Sequence, residues 1–151
     1  MSKHKIKEAL LHKCQEYVAQ RLQRIQGTIH DIQESLSSET KSTAGDKHET
    51  GRAMLQLERE KAGAQLAQVQ KLQQIVAKID LAASTRIRLG SLIITSQGQY
   101  FLSISIGKVE IEQLPYFVLA ANSPIGKLIL GKTEGAYFNF NGKEILIKKV
   151  Y

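Results

Sequence analysis

Apolar positions recur at spacings of three and four through the first half of the chain. After about residue 84 they give way to β-branched and aromatic runs broken by glycine. Leu11, Cys14, Val18, Leu22, Ile25, Ile29, Ile32 and Leu36 form one apolar stripe on a helix, and Leu55, Ala62, Leu66, Val69, Leu72, Val76 and Ile79 form a second. The pattern predicts helices over 4–37 and 47–80, each about 50 Å long at ~1.5 Å per residue. Each helix has one stripe to bury. Two of nearly equal length, joined by a short connection, bury theirs against each other as an antiparallel coiled coil. The connection from Ser37 to Gly45 is rich in small polar residues and ends in glycine, as a hairpin tip near 38–49 requires. A four-helix or dimeric assembly satisfies the same periodicity.

The second half reads as strands. Ser91 to Thr95 and Tyr100 to Ile106 flank the turn signal Ser96-Gln97-Gly98-Gln99. Tyr137 to Asn141 and Glu144 to Val150 flank the stronger signal Asn141-Gly142. Between these hairpins a short helix is expected over 123–130, with Ser123 as its cap, Pro124 at its first position and Gly131 as its stop. The fold class is therefore α+β. A long antiparallel helical hairpin occupies 1–83, and a small antiparallel β domain with one short helix occupies 84–151.

Charge and composition narrow the partners. Lys and Arg outnumber Asp and Glu by 21 to 14, a formal charge of +7 that suits an acidic partner such as nucleic acid. No dense basic tract is present, so a merely soluble basic protein fits the charge equally well. Aromatics are 6% of the chain and Trp is absent, which disfavours a large aromatic ligand platform. The single cysteine, Cys14, excludes a disulfide framework within the chain and a cysteine-based zinc site, and its place in the first stripe marks it as a helix-packing residue. His4, His12, His30 and His48 form no His-x-x-x-His pair, and no neighbouring acid completes a metal-ligand set, so a zinc site is not expected. No apolar run is long enough for a signal peptide or a membrane span, so a cytoplasmic protein without a membrane partner is expected.

Two blocks resemble a known family. Asn122-Ser123-Pro124-Ile125-Gly126-Lys127-Leu128-Ile129-Leu130-Gly131-Lys132-Thr133-Glu134-Gly135 is similar to the "NSPIGxxLxGxxxG" segment of the Gre transcript cleavage factors, and Ile147-Lys148-Lys149-Val150-Tyr151 to their closing strand. Gly45-Asp46-Lys47-His48-Glu49 resembles the family's "GDxxE" at the hairpin tip. After that pair the family reads close to "NAEY", whereas this chain has Thr50-Gly51-Arg52-Ala53.

The resemblance implies an FKBP-like second domain and a non-enzymatic, monomeric elongation factor. Its coiled coil would enter the secondary channel of RNA polymerase and stimulate the polymerase's own cleavage of backtracked nascent RNA. Carried over by position, the tip carboxylates are Asp46 and Glu49, sharing a Mg²⁺ with the polymerase only in the complex; no tightly bound cofactor is implied. Hard oxygen ligands suit that ion. Lys41, Lys47, His48 and Arg52 become candidate contacts to RNA or polymerase. Asn122, Ser123, Pro124, Ile125, Gly126 and Gly131 mark the segment that docks on the polymerase, with Tyr116, Phe117 and Ile125 as candidate exposed contacts, although residues of these types are more often core. Asp46-x-x-Glu49 has capping-box spacing too, so the same carboxylates serve a helix start without any metal. Two other readings remain open: a channel-binding regulator that does not promote cleavage, and a coiled-coil scaffold or small chaperone unrelated to transcription.

Overall fold

The structure is a computed structural model that describes residues 1–41 and 46–151, and side chains outside 39–49. The chain forms α1 (Lys3–Lys41), α2 (Asp46–Ala77), β1 (Leu92–Thr95), β2 (Gly98–Ser103), β3 (Gly107–Ile111), β4 (Leu114–Ala120), α3 (Pro124–Ile129), β5 (Tyr137–Phe140) and β6 (Lys143–Val150). It is α+β, with two long helices followed by a sheet and one short helix. By packing it comprises two compact units, one of residues 18–73 and one of 1–17 with 74–151.

The 18–73 unit is a helical hairpin. Ile29, Ile32 and Ala62 are buried together, with Ile25, Leu36, Leu55 and Leu66 packed around them. The pairing is antiparallel. Arg52, near the start of α2, donates through Nη1 to the Leu36 carbonyl near the end of α1, at 3.5 Å. Ala62 supplies the small side chain that lets the two backbones approach, and Val69 is fully buried further along.

In the other unit the first turns of α1 bury Ile6, Leu10 and Cys14 along one i, i+4 row. The expected stripe began at Leu11, which is only half-buried, while Leu10 is fully covered. Two adjacent leucines left the phase open. The first turns bury theirs within the sheet-bearing unit, where Ser103 Oγ donates to Cys14 Sγ at 3.3 Å and Lys7 Nζ donates to the Leu81 carbonyl at 2.9 Å.

The strand order is β3-β4-β2-β1-β6-β5. All pairs are antiparallel except β2 with β4, which run parallel from Tyr100↔Phe117 to Ser103↔Ala120. The sheet is thus antiparallel as expected, with this one parallel pair as its exception. One face buries Ile93, Tyr100, Leu102, Phe138, Ile145 and Ile147 with Ile129 of α3. The β1–β2 turn is Ser96-Gln97, with Thr95 opposite Gly98. The strand therefore starts at Gly98, two residues earlier than expected, and ends at Ser103 rather than Ile106. Thr95 Oγ1 closes the turn, donating to the Gly98 carbonyl at 2.7 Å and accepting from the Gln97 amide at 3.2 Å. β5 and β6 meet at Asn141-Gly142, whose φ values of 52° and 76° are those the signature demands.

β3 and β4 were not expected. Their turn, Glu112-Gln113, has φ of 50° and 67°, the same geometry built without glycine, asparagine or aspartate. Pro115 also disguises β4. β2 joins β4 only from Phe117 onward, so at Pro115 the strand has β3 on one side alone, where a missing N–H is tolerated.

Candidate functional site

Asp46 opens α2 and Glu49 lies in its first turn. The side chains of Lys41, Asp46, Lys47, His48 and Glu49 lie outside the described residues. Arg52, one turn further on, is half-buried, and its guanidinium spans the hairpin to Leu36. That bond caps a carbonyl and holds the two helices in register near the tip, a role the sequence did not signal.

The Asn122–Gly135 segment is resolved in full. Ser123 has extended backbone, φ −70° and ψ 162°, and its Oγ accepts from the Gly126 amide at 3.1 Å while donating to the Ala120 carbonyl at 2.6 Å. Pro124 takes the first helical position, where no amide partner is needed. Ile129 goes fully into the core and Gly126 is buried, while Asn122, Lys127, Leu128 and Leu130 are exposed. Gly131 follows Leu130 with φ 80° and donates its amide to the Ile87 carbonyl at 2.9 Å. Gly126 is small for a packing reason. A Cβ there would overlap the Ala120 carbonyl oxygen and sit 2.8 Å from Ser123 Oγ and 2.9 Å from the Ala121 carbonyl oxygen.

Half-buried Ile125 lines a groove of about 350 Å³ with Gln97, Tyr100, Phe117, Val118 and Leu119. Phe117 is 40% exposed, and its ring lies 6.1 Å from that of Tyr100 at a tilt of 45°. Tyr116 does not belong to this surface. It is 1% exposed, because alternation along β4 sends it to the opposite face from Phe117. Burial raises the Tyr100 phenol above its usual range, against a hydrogen bond with Thr95. The groove's apolar walls suit an apolar side chain of a partner and offer no acid–base machinery.

Among the described residues no group of three or more His, Cys, Asp or Glu could hold a metal ion. Three histidines do have an acidic neighbour on their own helix, without a third ligand. His4–Glu8, His12–Glu16 and His30–Glu34 pair at i, i+4 with separations of 3.0, 2.7 and 3.2 Å. Each supplies two donors on an exposed helix face, a surface contact rather than a metal set. Cys14 is buried, and burial pushes its thiol up. No described helix is long and apolar enough to cross a membrane.

No family model and no curated protein matches the chain. Among solved structures, GreA factor homolog 1 (Gfh1) of Thermus thermophilus is similar over 90% of this chain and 93% of that one, at 16% identity and a TM-score of 0.36.

Proposed function

We propose that the chain is a Gre-type elongation factor that inserts its helical hairpin into the secondary channel of RNA polymerase and stimulates cleavage of backtracked nascent RNA. The observation that carries this reading is a conjunction. An antiparallel hairpin and a Ser-capped Asn122–Gly135 segment beside an apolar groove occur in one chain. The hairpin supplies reach, and the groove with Ile125 and Phe117 docks on an apolar side chain at the channel mouth. Asp46 and Glu49, three residues apart in the first turn of α2, are the carboxylates that would hold a Mg²⁺ shared with the polymerase. Two hard oxygen donors with open positions for phosphate and water fit that ion. The protein has no catalytic activity of its own in this scheme.

The test is RNA cleavage in a backtracked complex. Wild type shortens the transcript, while Asp46→Ala and Glu49→Ala bind polymerase but leave the RNA intact. A wild-type protein that binds and never cuts overturns the cleavage role in favour of a channel-occupying regulator. Thr50-Gly51-Arg52-Ala53 favours that second reading, since Arg52 is engaged by the hairpin itself. A protein that fails to retain polymerase from cell extract overturns both and leaves a scaffold or chaperone.

A further inference from the structure

The positive charge is not on the hairpin. Residues 18–73 carry eight Lys and Arg against seven Asp and Glu, a net +1, whereas 1–17 with 74–151 carry thirteen against seven, a net +6. Part of that excess is gathered by a register defect. β1 pairs Ile94 with Lys149 but Thr95 with Ile147, so β6 holds one residue more than its partner across the bulge. Ile147 and Val150 both point into the core, and the intervening Lys148 and Lys149 are both exposed. In a regular strand one of two consecutive lysines would face inward. The bulge turns both outward.

They share that face with Leu146 and, opposite it across the β5–β6 pair, Tyr137. Tyr137 is 55% exposed on an edge strand, while its neighbour Phe138 is buried on the core side. Half-buried Ile94 lies opposite Lys149. Among the described residues neither lysine enters an ion pair; the unit's lysine and arginine ion pairs engage Lys108 with Glu110 and Arg88 with Asp80. Along the strand the nearest carboxylate on this face is Glu144, opposite Asn139, and off the strand Glu134 Oε1 is occupied in accepting from the Val150 amide at 3.1 Å.

We propose that the exposed β5–β6 end of this sheet face binds single-stranded nucleic acid, with a base on the Tyr137 ring and backbone phosphates at Lys148 and Lys149. A solvent-facing ring flanked by unpaired cations is what a single strand needs. Every base offers a π-face, and each neutralised phosphate releases a counterion. An acidic protein surface would use the lysines and leave the ring idle. The proposal does not depend on the polymerase reading, and it is tested without polymerase.

The experiment is fluorescence anisotropy of a labelled oligothymidine of about 20 nucleotides with the full chain, from about 50 mM salt upward. Binding is expected to weaken linearly with the logarithm of salt. The double variant Lys148→Gln, Lys149→Gln lowers that slope by about 1.4, at ~0.7 per single-strand phosphate contact. Tyr137→Ala weakens binding about fivefold at unchanged slope. Arg24→Gln with Lys71→Gln, two exposed hairpin positions, changes neither. All five side chains are exposed, so circular dichroism should report intact folds. The proposal is overturned if the strand does not bind at low salt, or if the hairpin variant loses as much slope. It is equally overturned if Tyr137→Ala is silent, or if polyglutamate competes as well as the oligonucleotide.

Discussion

Replacing Gly126 with alanine isolates the structural content of the Asn122–Gly135 segment. The added methyl would overlap the Ala120 carbonyl oxygen and press on Ser123 Oγ and the Ala121 carbonyl. Two of these neighbours are backbone and cannot swing aside, so the overpacking cost falls at the upper end of its usual range, about 3 kcal/mol. Displacing Ser123 removes its cap, about 1 kcal/mol. Alanine's better helix propensity returns about 1 kcal/mol. The net loss is about 3 kcal/mol, which at a slope of ~2 kcal/mol per molar urea lowers the midpoint by about 1.5 M. Urea titration followed by near-UV dichroism reads the correct unit, because Tyr100 and Tyr116 are buried within it. Ser123→Ala provides the scale, losing only the cap and shifting the midpoint by about 0.5 M. If Gly126→Ala shifts it no further than Ser123→Ala, the steric argument is wrong. Any loss of partner binding by the alanine variant would then reflect a lost contact rather than a lost fold.

Gln113→Gly should raise the melting temperature by about 2–4 °C, because glycine removes roughly 1 kcal/mol of left-handed strain at φ 67°; an unchanged or lower value in a thermal scan contradicts this. Lys7 is 2% exposed, and burial, helped by Arg88 and opposed by Asp80, lowers its ammonium below the ordinary 10.5. The unfolded chain therefore holds that proton to higher pH than the folded one, and stability contributed at this site rises with pH in the window just below 10.5. Melting wild type and Lys7→Met across that window should show wild type gaining on the variant, and parallel profiles would refute it. Cys14, whose thiol is raised above 9.0 mainly by burial, should react with a disulfide reagent at the rate of unfolding. Immediate labelling in native buffer at pH 8 would show that the packing around Ser103 is open.

Local chemistry decided what could be read in advance. The short helix was legible because Ser123, Pro124 and Gly131 each act within a few residues of the element they bound. Asn141-Gly142 was legible because its backbone geometry selects those residue types. Glu112-Gln113 adopts the same turn with residues that disfavour it, held by the strands on either side, and so two strands went unseen. The parallel β2–β4 pair had no local sign, since its partners are seventeen positions apart and joined through β3. The Leu10 and Leu11 ambiguity was settled by burial within a unit whose other members begin some sixty residues later. Of the candidate site, the Asn122–Gly131 positions were legible as a capped helix. Tyr116 takes the core alternative and Phe117 the exposed one, a division set by alternation along a strand that went unseen, and the paired outward lysines of β6 depend on a bulge that no residue type announces.

The sheet-bearing unit is assembled from residues 1–17 and 74–151. Ile6, Leu10 and Cys14 thus leave the ribosome long before the strands of their unit exist. At ~5–20 residues per second the delay before β6 is made is roughly 7–25 s. During that interval the first turns of α1 expose an apolar row with no sheet to cover it, while the 18–73 hairpin already contains both of its own helical partners. A hairpin that closes first brings residues 17 and 74 to its base and so shortens the loop that the sheet unit must otherwise close. The order of synthesis then favours hairpin before sheet, and variants that slow hairpin closure should aggregate during translation even when the finished protein is stable.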